Sequence, residues 1–125
     1  MRFIKMALKQ LPYFQHLKDT DTIFYDIIFK LVTYEKNQGD VLIKKGELID
    51  YIYIVERGIV EVSTMVCGKP VVLERLFRGS VINFKTIFLE TKSQVYMNFA
   101  VESVIKSLSI TDILKIREKN QRIAR

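Results

Sequence analysis

The chain is poor in the side chains that most catalytic and metal chemistry requires. It has one cysteine, Cys67, and one histidine, His16, in 125 residues. A single Cys cannot close an internal disulfide or build a Cys-rich zinc site, and a single His cannot form a His cluster. His16 falls in an aromatic turn outside the strand-rich region, so no Ser/His or Cys/His pair has a base within that region. The expectation is a chain that is not an enzyme, carries no metal or resident cofactor, and sits in a reducing, cytoplasmic compartment, including as the cytosolic part of a membrane protein. Long apolar runs are missing too. The longest are of the kind Tyr51-Ile52-Tyr53-Ile54-Val55, against roughly 20 residues for a spanning helix, so no membrane span is expected.

What is present describes one globular domain. Hydrophobic residues make up 49% and charged residues 27%, which excludes wholesale disorder. The net charge of +6 favours acidic partners. The basic positions of the last helix, Lys115, Arg117, Lys119, Arg122 and Arg125, read as a solvated face with no helix-turn-helix after it, so no nucleic-acid partner is expected.

Three helix-like stretches bracket a β-rich middle. Phe3, Ile4, Ala7 and Leu8 share a face of a short amphipathic helix, and Leu11-Pro12 ends it. Asp19 to Thr22 offer N-caps for a second helix with a stripe of Ile23, Phe24, Ile27, Ile28 and Leu31. From Thr33 to Ser109 short β-branched and aromatic runs alternate with glycines at 39, 46, 58, 68 and 79, the spacing of a sandwich or barrel. Gly58 suits a tight turn, and Cys67 to Pro70 a hairpin tip. Thr111 is the expected cap of the closing helix, with Ile113, Leu114 and Ile116 as its apolar positions. The predicted architecture is mainly β: N-terminal helices over 1–32, an antiparallel β-roll of the jelly-roll type over 33–109 with a short inserted helix at about 83–89, and a C-terminal helix over 110–125. All of it is one domain.

The informative segment runs from Leu76 to Leu89. A strand reaches Gly79 and a short helix then opens inside the roll. Such a helix start either offers unpaired N–H groups to an anion or simply plugs the barrel.

Gly39 to Glu47, followed by Asp50 to Val62, resembles the recurrent pattern of the cyclic nucleotide-binding domain family: glycine, apolar strand, glycine and acid, Tyr-Ile strand, glycine, Val-rich strand. Leu73 to Gly79 continues the likeness, and Ile105 to Ser109 resembles the strand that ends the roll in the family's channel branch. The resemblance covers roughly residues 11–120. It implies a pocket between the insertion, here Gly79, Ile82, Asn83, Phe84, Lys85, Thr86, Lys92, Ser93 and Gln94, and a base-side strand with Val72 and Leu73.

In the family the insertion opens with Phe-Gly-Glu, whose acid grips the ribose, and a downstream arginine pairs with the cyclic phosphate. These fall here on Ile82, Asn83 and Phe84, and on Ser93 with Gln94 beside it. The departure implies a vestigial pocket in which cAMP or cGMP is a weak ligand or none. The alternative it leaves open is a working sensor with Lys85 or Lys92 on the phosphate. Lys92 precedes the arginine slot by one residue, so strand alternation sends it to the other face. The implied partner is the rest of a parent signalling protein such as an ion channel or kinase.

Overall fold

The computed structural model describes residues 2–11, 14, 22–82 and 92–123. Helices α1 (Arg2–Leu8) and α2 (Thr22–Lys30) precede strands β1 (Val32–Lys36), β2 (Val41–Ile43), β3 (Tyr51–Arg57), β4 (Val60–Val66), β5 (Lys69–Leu76), β6 (Val81–Ile82), β7 (Tyr96–Phe99) and β8 (Ser103–Ser109), and α3 (Ile110–Ile123) follows. The strands form two four-stranded antiparallel sheets, β1-β8-β3-β6 and β2-β7-β4-β5. This is a mainly β, roll-type architecture with flanking helices. No described helix is long and apolar enough to cross a membrane.

Two apolar cores follow from strand alternation in β3. Ile52 and Ile54 point out of the roll and join the helices: Ile4, Ala7 and Leu8 of α1, Ile23, Phe24 and Ile27 of α2, and Ile113 and Ile116 of α3. Val55 points into the roll, where it meets Val60, Ile82, Phe99 and Ile105. The helical stripes read from the sequence are thus the residues that cover the first sheet. Leu114 is exposed, so α3 buries only two of its three expected apolar positions. An ion pair, Lys119 Nζ to Asp26 Oδ2 at 3.9 Å, adds to the contact between α3 and α2.

The glycine turns hold. Cys67 and Gly68 both have positive φ, 50° and 79°, the two-residue geometry that matches the twist of a hairpin. Lys69 and Pro70 already belong to β5, so the tip is tighter than the four residues expected. At Gly58 (φ 100°) a Cβ would collide with the Ser103 side chain and lie 2.8 Å from its Cα. Glycine is required there by contact as well as by conformation.

The cap of α3 differs from the expectation. The helix starts at Ile110, placing Thr111 inside it. The Ser109 Oγ accepts from the Asp112 N–H at 3.5 Å instead. Ser109 ends β8 in extended conformation and so meets the requirement for a non-helical cap residue, which Thr111 does not.

Candidate functional site

The residues expected to form the pocket divide into those the structure describes and those it does not. Asn83, Phe84, Lys85 and Thr86, and the inserted helix at about 83–89, lie outside the described residues. The described ones lie where the chain enters and leaves that segment.

The entry is firmly held. Gly79, with φ 91°, donates its N–H to the Val55 carbonyl at 2.8 Å, and its own carbonyl accepts from Gln10 Nε2 at 2.8 Å. The neighbouring Arg78 guanidinium stacks 4.5 Å from the Phe3 ring centroid, a cation–π contact. The turn that leads into the insertion is therefore fastened to β3 on one side and to the N-terminal helical region on the other. Ile82 follows on β6, paired with Tyr53 and buried in the inner core. Its side chain serves packing.

The exit is held by backbone and by one hydroxyl. Ser93 donates its N–H to the Glu47 carbonyl at 2.8 Å and accepts the Gly46 N–H at 2.7 Å. Its side chain is only 4% exposed, the Ser93 Oγ donates to the Val95 carbonyl at 2.7 Å, and it accepts the Val95 N–H at 3.2 Å. The hydroxyl is thereby committed to its own loop. Lys92, in an isolated bridge with Leu48, and Gln94 are both exposed while Ser93 between them is buried, although the segment is not a continuous strand.

On the base-side strand, Val72 pairs with Ser63 and Glu74 with Val62, which leaves Leu73 between them as a β-bulge. Val72 and Leu73 are exposed on the last strand of the second sheet. A bulge re-aims a side chain next to a site, and this one was not visible as a pattern in the Val71 to Leu76 run. Also missed were Gly46 and Glu47 as backbone partners of Ser93. The Gly-Glu dipeptide was legible as a turn and as part of the family pattern, but not as a partner of Ser93.

The described residues gather no cluster of three His, Cys, Asp or Glu side chains able to hold a metal ion.

Comparisons with known proteins agree with this architecture. The sequence profile of the cyclic nucleotide-binding domain matches residues 33–120. No curated protein sequence matches the chain. Among solved structures, a cyclic nucleotide-binding-like protein from Brucella abortus is similar at a TM-score of 0.81 and 16% identity, over 92% of this chain and 97% of that one. The regulatory domain of Toxoplasma gondii PKA with cAMP is similar at a TM-score of 0.79 and 16% identity, over 92% of this chain and 43% of that one. The Thermus thermophilus catabolite activator protein gives 0.73 and 18%, over 90% and 53%. At these identities the structures show a shared fold, and the chain spans about half the length of the latter two. With its profile match over most of its length, this chain belongs to the cyclic nucleotide-binding domain family.

Proposed function

We propose that this chain is the regulatory module of a larger cytoplasmic or membrane-attached signalling protein, channel-like or kinase-like, and that its affinity for cAMP and cGMP is weak or lost. It acts by binding and packing, with no catalytic step of its own. The observation that carries the reading is the state of Ser93. Where the family places a guanidinium for the cyclic phosphate, this chain has a buried serine whose hydroxyl is already engaged by Val95.

The magnitude is large enough to matter. A charge-assisted hydrogen bond contributes about 1.5 to 3 kcal/mol, so its loss alone weakens a buried phosphate by about one to two decades. Phe84 in place of the acid removes a second such bond. Rescue through Lys92 would require its exposed ammonium to leave solvent and reach the side of the chain on which Ser93 is buried.

The fastening of the Gly79 turn to Gln10 and Phe3 supports a route for signalling through the flanking helices. A change in how the helices pack on the first sheet would reach the insertion through that turn. The test is a gain of function: a Ser93→Arg, Phe84→Glu double variant is titrated calorimetrically with cAMP and cGMP beside the parent chain. The expected result is binding at least tenfold tighter in the variant. Equal affinities in the two proteins would contradict the reading.

A further inference from the structure

A concavity lies at the seam where β1, the edge of the first sheet, faces β2, the edge of the second. It encloses about 220 Å³. Its walls are Tyr34 and Lys36 of β1, Leu42 of β2, Tyr53 of β3, and Ile105 and Ser107 of β8. Register explains the grouping: Tyr34 is paired with Ile105 and Tyr53 with Ser107, so inward-facing positions of three adjacent strands form one surface. The inner core leaves this end open because the small Ser107 stands where a larger apolar side chain would continue the packing.

Beside the Tyr34 and Tyr51 rings, Lys36, Ser107 and Tyr53 bring polar groups to its lining. Lys36 is half-buried, and its ammonium lies 5.5 Å from the centroid of the Tyr34 ring with no carboxylate in ion-pair reach among the described residues. Ser107 is 3% exposed, lines the cleft, and its hydroxyl makes no hydrogen bond to another described residue. The Tyr53 phenol is held in its neutral, donating form: burial first, then the charges of Tyr51, Glu47, Tyr34 and Asp50, raise its pKa. Glu47 and Asp50 bear on the Tyr53 end, so negative charge on a ligand is best placed at the Lys36 end.

We propose that this seam cleft binds a one-ring aromatic carboxylate bearing a para hydroxyl, with the carboxylate on Lys36, the ring between Tyr34 and Leu42, and the hydroxyl at Ser107 and Tyr53. The size fits. A cavity of about 150 Å³ takes up benzene, and drug-sized ligands need about 300 Å³ or more. The length fits as well: Lys36 is paired with Ser103, four residues along β8 from Ser107 and about 13 Å along the strand, a distance that one ring with a hydrogen bond of about 2.8 Å at each end spans. The proposal does not rest on the cyclic nucleotide reading, since it uses neither the insertion nor Ser93.

The test is a 15N-HSQC titration of the chain with 4-hydroxybenzoate, with neutral 4-hydroxybenzamide and unsubstituted benzoate as comparison probes. Saturable shifts in β1 and β8 are expected, with about tenfold weaker binding for the amide and for a Lys36→Gln variant. Ser107→Ala should weaken 4-hydroxybenzoate several-fold and leave benzoate unchanged. Lack of saturation with the parent chain, shifts confined elsewhere, or equal affinity for carboxylate and amide would overturn the proposal. The amide comparison needs no variant, so it decides even if a substitution disturbs folding. A cAMP arm in the same titration keeps the two sites distinguishable: shifts around residues 79–94 report on the insertion, shifts at Lys36 and Ser107 on the seam.

Discussion

The two sheets of this roll bury apolar surface in opposite ways. The first is covered on both faces: Ile52 and Ile54 of β3 are each 1% exposed beneath the helices, while Val55 fills the interior. The second is covered less, and its last strand, β5, is exposed on both faces. Along β5, Val71, Val72 and Leu73 are 41%, 43% and 56% exposed. The difference teaches where stability resides. The helix-covered sheet is a two-sided core, whereas the last strand of the second sheet is bulged and exposed. A regulatory domain needs such a division, because a responsive region is drawn from the low-stability end of a structure.

The contrast is broken most directly by truncating one residue on each side. Phe24→Ala, at a fully buried position of the helix-sheet core, is expected to cost about 3 to 5 kcal/mol in urea unfolding. Leu73→Ala should stay within about 0.5 kcal/mol of the parent. Comparable losses from the two would remove the distinction.

The next effect lies at the turn joining β3 of the first sheet to β4 of the second. Gly58→Ala sets a methyl group against Ser103 at a φ that L side chains rarely adopt, for an expected loss of about 1 to 3 kcal/mol. Adding Ser103→Gly should recover only part of it, because the backbone strain remains. Full recovery would mean that contact alone makes the glycine necessary.

Ser93→Ala should cost about 0.5 to 1.5 kcal/mol by leaving the Val95 carbonyl and N–H without their partner. A neutral result would indicate that the serine does not lock its loop.

The smallest expected effect is at high pH. The Tyr53 pKa is raised in the fold, above about 10 in the unfolded chain. Above that unfolded value the unfolded chain loses its proton first, so stability falls as pH rises through the folded pKa. Tyr53→Phe should flatten the decline in thermal midpoint above about pH 10. An unchanged slope would place the phenol in solvent.

Much of this was legible in the chain. The positive-φ turns at Gly39, Gly46, Gly58, Gly68 and Gly79 fall at the expected breaks, and the helical stripes are the buried ones. These features are local, set by backbone conformation and by period. Less legible was whatever depends on contacts between distant segments. That Gly58 is pinned by Ser103, that Gln10 reaches Gly79, or that Lys36, Tyr53 and Ser107 share one cleft follows from strand register, which no single run of sequence states. The α3 cap was misplaced by two residues for a related reason: Ser109 serves as both the end of a strand and the start of a helix.

For the site the sequence offers positions by resemblance, of which Asn83 to Thr86 lie outside the described residues. The resemblance singles out Ser93 only by counting along the chain, whereas the folded loop shows that its hydroxyl is engaged by Val95. The most direct test of the central claim is calorimetric titration of the unmodified chain with cAMP and with cGMP. No saturable heat is expected up to about 1 mM of either nucleotide, a free energy weaker than about 4 kcal/mol. A single-site isotherm with a Kd in the low micromolar range would contradict it.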